Sequence, residues 1–365
     1  MTMVASLLVH KWPILIGDLL ISSTIKPDKI VCLPTVHDEI PKLHSSNKYV
    51  TGLKQKTIII NDELAICWAN SPFYASILIR DLISEFKYKH CSIGEMLRYL
   101  DNIDLEIRDN VSIVGMLRYN KLFHTFGFNC RNMSLNDIGD IIYLEGSGTE
   151  DFLEALNAFT ESNLYKLNPL QYAVSTLIRT YNYMLCKEIS SEESFIKCYG
   201  GGYELVSYVN GRFQKINDIT HILWIATEDD NGKWTLSLPR LIMKYEYYHD
   251  LLLIRRGEFV NKPDGSGFVK MALKNEVPYE VRPIYESSDK TELENQHKVD
   301  LPNFNSNFIC NNILMLKRTG KANCSQFFNY SGNGTNPIRF SEINSEIQIQ
   351  IDETFIRSIY EDISK

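Results

Sequence analysis

Paired apolar runs joined by short polar turns recur through the first part of this chain, and they leave little choice of fold class. Thr2 to Val9 and Ile14 to Ser22 flank His10-Lys11-Trp12-Pro13. Thr57 to Ile60 and Leu64 to Trp68 flank a turn at Asn61-Asp62, and Val111 to Arg118 with Lys121 to Phe128 make a third pair. Tyr203 to Val209 and Arg212 to Ile216 bracket Asn210-Gly211, whose left-handed preferences suit a two-residue hairpin turn. Helical patterns alternate with these pairs. SPFYASILIRDLISEFKYK has Ser71 at a cap position, Pro72 at the first helical position and apolar residues at helical spacing. Residues 92 to 106 predict another helix. A strand from Ile138 to Leu144 runs into a helix opening near Thr149, and Leu170 to Lys187 is a strong helix. Hairpins alternating with helices predict an α+β protein of antiparallel sheets covered by helices.

The segment from Lys26 to Thr51 is polar and irregular and predicts an insertion or lid at about 26–51. After Pro239 the character changes. Strand-like pieces are separated by turn-rich loops such as KPDGSG and YSGNGTNP, and a short helix is expected at Glu353 to Ile363. The expected organisation is therefore one domain over 1–240, with a β-rich C-terminal extension over 241–365. A strand at Ile222 to Ala226 falls inside the first of these.

The formal net charge of −7 gives no general attraction to nucleic acid or an anionic membrane surface. The N-terminal apolar run has no basic residues before it and is broken by His10, Lys11 and Pro13, so it does not read as a secretory leader. No stretch approaches the about 18 apolar residues of a membrane span. The eight cysteines contain no CxxC pair and read as reduced thiols, several of them in the core. A cytoplasmic protein is the expectation.

Several residues that invite chemistry have plainer readings. Gly200-Gly201-Gly202 reads as a bend, since no phosphate-loop pattern accompanies it. Arg318-Thr319-Gly320-Lys321 is not such a loop either. His37 and His44 have no metal-ligand spacing, and His90-Cys91 is a lone pair. The run Tyr245-Glu246-Tyr247-Tyr248-His249 reads as a strand with one packed face.

Three segments carry a more specific pattern. The chain opens Thr2-Met3-Val4-Ala5, with Asp18 sixteen residues after Thr2. Lys56 precedes Asp62 by six residues in the second hairpin, ahead of a helix. Gly146-Ser147-Gly148 enters a later helix. Over about residues 2–225 this resembles the proteasome β-type subunits and their bacterial relatives, among the N-terminal-nucleophile (Ntn) hydrolases. The resemblance implies a four-layer αββα sandwich and a Thr2 nucleophile exposed by removal of Met1.

It further implies that the Thr2 α-amine, titrating near about 8, acts as base, that Lys56 held by Asp18 tunes it, and that Ser147 completes the proton network. The substrate would be a peptide or another amide. No metal or organic cofactor is required, and homo-oligomers or rings are the family habit.

The pattern also has departures. Leu20 stands where the family has Arg, Asn70 where an oxyanion-hole Gly is expected, and Tyr199 near a supporting Ser. Phe195 or Ile196 stands near a supporting Asp. The interval from Asp18 to Lys56 is 38 residues, more than twice the family's. A catalytically inactive Ntn-fold structural or interaction subunit is therefore the competing reading, and a small-molecule amidohydrolase a third. Residue by residue, Thr2 also reads as an ordinary second residue and Asp18 as a turn acid. Lys56 competes with Lys54, and Ser147 also reads as a helix-start serine.

Overall fold

The computed structural model describes residues 2–27, 31–36, 48–135, 140–160, 168–191, 193–261, 269–285, 308–318, 322–330, 337–343 and 346–363. The chain divides into two compact units, Met1–Ile216 with Val281–Glu286, and Asn217–Glu280 with Ser287–Lys365. The class is α+β with mostly antiparallel sheets.

The first unit opens with β1 (Val4–Val9), β2 (Trp12–Asp18) and β3 (Leu20–Ser23), followed by β4 (Tyr49–Leu53), β5 (Thr57–Asn61) and β6 (Leu64–Asn70). Then come α1 (Pro72–Phe86), α2 (Ile93–Asp101), α3 (Leu105–Asn110), β7 (Val111–Tyr119), β8 (Leu122–Phe128), β9 (Arg131–Leu135) and β10 (Asp140–Glu145). It continues through α4 (Thr149–Thr160), α5 (Pro169–Ser190), α6 (Glu193–Ile196), β11 (Tyr203–Val209) and β12 (Arg212–Lys215). The expected helix over 92–106 is split. Asp104 accepts from the Glu106 N–H and caps a new helix, because a short acidic side chain competes for backbone donors.

A six-stranded sheet has the order β12-β11-β2-β1-β10-β9, and a four-stranded sheet runs β5-β6-β7-β8. Val4, Leu15 and Val206 of the first sheet pack with Ala65, Cys67, Val114 and Met116 of the second in one buried cluster. The opposite face of the four-stranded sheet, with Ile58, Ile66 and Trp68, is covered by Leu78, Ile79 and Leu82 of α1 and Met96 and Leu100 of α2. Helix α5 crosses β1, β2 and β11, with α4 beside it. Its start is fixed by a reciprocal Asn168–Gln171 capping box with Pro169 in the first turn.

The segment expected to be an irregular insertion differs from that reading in two places. Tyr49–Leu53 is β4 and pairs with β3. Leu33, Pro34 and Thr35 are buried, and Leu33 packs with Leu20, Val50, Phe195 and Cys198.

The second unit contains β13 (Ile219–Glu228), β14 (Trp234–Leu236), β15 (Leu241–Tyr248), β16 (Leu251–Asn261), β17 (Val269–Val281), β18 (Phe308–Leu316), β19 (Ala322–Tyr330), β20 (Ile338–Ile343), β21 (Glu346–Ile351) and α7 (Glu353–Ile363). Its sheet runs β19-β18-β13-β15-β16-β17-β21-β20, with β14 on β13. Strand β13 sits inside it, parallel to β18 and antiparallel to β15. The division therefore falls after Ile216 and not at 240. Ile222, Trp224 and Ala226 are buried with Ile242, Ile309 and Ile313, partners separated from β13 by intervals that no local pattern specifies. Among the described residues, no helix is long and apolar enough to cross a membrane.

Candidate functional site

The first hairpin sets the site. Val9 pairs with Trp12 across His10 and Lys11, both in the left-handed region (φ 48° and 64°), as a two-residue turn requires. That register pairs Val4 with Gly17 and brings residue 2 beside residue 18. The sixteen-residue interval seen in the sequence is thus a product of hairpin geometry. The Asp18 N–H donates to the Met3 carbonyl (2.9 Å), and the Met3 N–H returns a bond to Asp18 Oδ1 (2.9 Å).

Lys56 immediately precedes β5, and its stem passes Gly17, where an added Cβ would lie 3.3 Å from the lysine Cβ. Its Nζ donates to Thr2 Oγ1 (2.5 Å), Asp18 Oδ1 (2.6 Å) and the Leu20 carbonyl (2.7 Å). The Thr2 hydroxyl in turn donates to Asp18 Oδ1 (2.5 Å). Thr2, Asp18 and Lys56 are each at most 1 % exposed. Lys56, not Lys54, is the lysine of this cluster.

The backbone of Lys56 is fixed from behind. Glu204 Oε2 accepts from the N–H groups of Lys56 (2.6 Å) and Thr57 (3.0 Å), and Glu204 Oε1 pairs with Lys215 Nζ at 2.5 Å. Burial lowers the pKa of the Lys56 ammonium, while Asp18 beside it works in the opposite direction. A lysine so placed can hold a proton or take one from a hydroxyl 2.5 Å away.

Ser147 is not bonded to these three residues. Its hydroxyl donates to the Lys197 carbonyl, which α6 brings over it. The Gly146-Ser147-Gly148 backbone does reach Thr2. Gly148 N–H donates to the Thr2 carbonyl (3.3 Å), and at Gly146 (φ 109°) an added Cβ would lie 1.9 Å from that same oxygen. Only glycine permits that approach. Beside it, burial raises the pKa of Glu145. Asn70 ends β6 at φ 77°, a conformation that asparagine tolerates next best to glycine. Its Nδ2 donates to Ser112 Oγ (2.8 Å).

Sequence reasoning missed the groups that support the cluster. Gly200-Gly201-Gly202 does bend the chain, but its N–H groups also hold two buried carboxyls. Gly200 donates to Asp18 Oδ2 (2.9 Å) and Gly201 to Glu188 Oε1 (2.7 Å). Thr35 also donates to Glu188 Oε1 (2.5 Å). Gly200 has φ 117°, and an added Cβ would lie 2.7 Å from the Glu188 carboxyl carbon. The available signals were the triple glycine itself and an acid on the buried side of a long helix. Tyr199, near the expected serine, instead donates to Asp151 Oδ2 (2.6 Å) in a cluster with Lys187 and Lys197.

The other sequence candidates lie elsewhere. His90 Nδ1 bonds Glu63 Oε2 at 2.5 Å, and burial pushes the Cys91 thiol up to about 11. Among the described residues no cluster of His, Cys, Asp and Glu could hold a metal ion. Tyr245 is buried on β15. Met1, His37, His44, Gly320 and Lys321 lie outside the described residues.

No protein-family model matches the chain, and no curated protein matches it either.

Proposed function

We propose that the chain is an N-terminal-threonine hydrolase with the four-layer sandwich of the Ntn type, acting on a peptide or another amide. The observation that carries this reading is the Thr2 hydroxyl, bonded at once to the Lys56 ammonium and the Asp18 carboxylate. An isolated hydroxyl is a poor nucleophile and needs a base within hydrogen-bond reach. Removal of Met1 would free the Thr2 α-amine as a second proton acceptor.

In the reaction, Thr2 Oγ1 gives up its proton to Lys56 in its neutral form or to the freed α-amine, and attacks the amide carbonyl carbon. The tetrahedral intermediate collapses to an ester on Thr2 as the departing amine takes a proton. Water then attacks that ester, releasing the acid and restoring the hydroxyl. Asp18 holds Lys56 and orients the hydroxyl. Ser147 belongs to the supporting loop through its backbone neighbours. Self-association is expected by family habit and is tested by the mass in solution.

A second reading has its own observation. Thr2 is only 1 % exposed, and the Ser147 hydroxyl is engaged by Lys197, as in an inactive Ntn-fold interaction subunit. Intact mass of the untagged protein, before and after a threonine-reactive epoxyketone, separates the two. Loss of Met1 with one adduct on Thr2 is expected, and that adduct should vanish in Thr2→Ala and Lys56→Ala. A retained Met1 with no adduct would establish the inactive reading.

A further inference from the structure

We infer that Glu188 is a positioning residue: it latches the Leu33–Thr35 turn beside the Thr2–Asp18–Lys56 cluster and, through the triple-glycine loop, steadies Asp18, and its ionisation releases the turn. The role of the turn as a cover over a working site rests on the hydrolase reading. The latch itself does not.

The geometry is a short relay. Thr35, 4 % exposed, donates its hydroxyl to Glu188 Oε1. The same oxygen accepts from Gly201 N–H, and the adjacent Gly200 N–H grips Asp18 Oδ2. On its apolar side the turn rests Leu33 against Leu20, whose carbonyl accepts from Lys56. The turn therefore touches both the residue that holds Lys56 and the carboxyl that holds the Asp18 loop. The Val36 N–H closes it on the Leu33 carbonyl (3.4 Å).

Glu188 is poorly provided for as an anion. It is 2 % exposed, and Oε2 has no hydrogen-bond partner among the described residues. The groups facing it are Thr35 from the turn, Gly201 N–H and Tyr199 from the loop, Tyr203 from β11 and Asp18 from β2. None of them is a cation, and Asp18 opposes its ionisation. Burial, against the help of Thr35, Gly201 and Tyr203, pushes the carboxyl up to about 7. An open turn would admit water and lower that value toward the ordinary 4.5. By linkage, opening then becomes more favourable as pH rises toward 7, by at most about tenfold per pH unit and about 300-fold in all.

The test is hydrogen exchange of the Leu33, Thr35 and Val36 amides in the full chain between pH 5 and 8, corrected for intrinsic exchange rates. Wild type should show the rising opening constant, and Glu188→Gln, which keeps shape but cannot ionise, should be flat. Thr35→Val, which keeps Glu188 and removes its hydroxyl donor, should raise the opening constant already at pH 5 and move the midpoint upward, and covers the case that Glu188→Gln does not fold. A flat wild-type profile, or the same slope in Glu188→Gln, overturns the latch. Epoxyketone labelling of Thr2 over the same range separates the two claims. Labelling with flat exchange sinks the latch and leaves the hydrolase. Exchange that follows pH with no labelling at any pH leaves the latch and sinks the hydrolase.

Discussion

Asp18 and Glu188 are buried carboxyls held by successive N–H groups of one glycine loop, yet their surroundings differ in one decisive way. Asp18 accepts from Thr2, Met3 N–H, Gly200 N–H and an ammonium, Lys56. Glu188 accepts from the Thr35 hydroxyl and the Gly201 N–H on one oxygen, Tyr203 beside it also favours the ionised form, and no cation faces it. A buried carboxylate that has its counter-ion anchors structure, whereas one without it becomes a titrating group. The loop thus links an acid that has a counter-ion to one that has none, and its lack of side chains is what lets both acids approach its backbone.

The largest test of the contrast removes the cation. Lys56→Met keeps the buried stem and leaves Asp18 without an ammonium, which should cost about 3–5 kcal/mol, read by urea unfolding at pH 7. A loss under about 1 kcal/mol, the worth of a surface pair, would mean that the N–H donors alone suffice, and the contrast with Glu188 would fall.

A smaller effect of opposite sign is expected at Glu188. Its carboxyl titrates near 7 in the folded protein against 4.5 for an ordinary glutamate. Below about pH 4.5 it is protonated in both folded and unfolded chains and contributes no pH dependence. Between 4.5 and 7 the unfolded chain releases its proton first, so this group makes stability fall as pH rises, by about 3 kcal/mol in total. Above 7 the penalty is constant. Glu188→Gln should therefore lose that slope and gain stability relative to wild type between pH 5 and 8, less whatever its buried amide costs. Parallel unfolding curves for the two proteins at pH 5 and pH 8 would refute it.

How far these features could be read from the sequence depends on how local their causes are. The first hairpin was legible as two apolar runs flanking His10-Lys11-Trp12-Pro13; the turn itself is the shorter His10-Lys11, with Trp12 and Pro13 in β2, and that register puts Thr2 beside Asp18. Helix α5 was legible from its periodicity, and Pro169 and Asn168 mark its start. Lys56 was singled out through the family resemblance, in which a lysine stands six residues before an acid as Lys56 does before Asp62. By contrast, Glu188 meets Thr35 across 153 residues and Glu204 meets Lys56 across 148, and a lone acid carries no sign of its partner. Ser147 was placed by its motif, but its hydroxyl went to the Lys197 carbonyl, just after α6, which the motif does not contain. Strand β13 looked like one more strand of the first domain. Its pairing with β18 joins residues near 220 to residues near 310, a choice made by tertiary packing and invisible in a window of ten residues.

The finest test pairs two isosteric changes. Thr2→Val removes a donor from Asp18 Oδ1, which keeps Lys56 and Met3 N–H, and Lys56 keeps Asp18 and the Leu20 carbonyl. The cost should be about 1 kcal/mol and should not change between pH 5 and 8. Thr35→Val removes the hydroxyl donor of Glu188 and leaves Gly201 N–H, with Tyr203 beside the carboxyl. The Thr35 hydroxyl favours the ionised carboxyl, so its loss should raise the folded-state pKa above about 7 and leave the unfolded one unchanged. The extra penalty should therefore be small at pH 5, where folded Glu188 is protonated, and should grow by about 1 kcal/mol or more at pH 8. If the two valine variants show the same flat profile, the missing cation is not what makes Glu188 titrate. If only Thr35→Val bends with pH, the difference between the two acids lies in their partners and not in their burial, which is nearly the same.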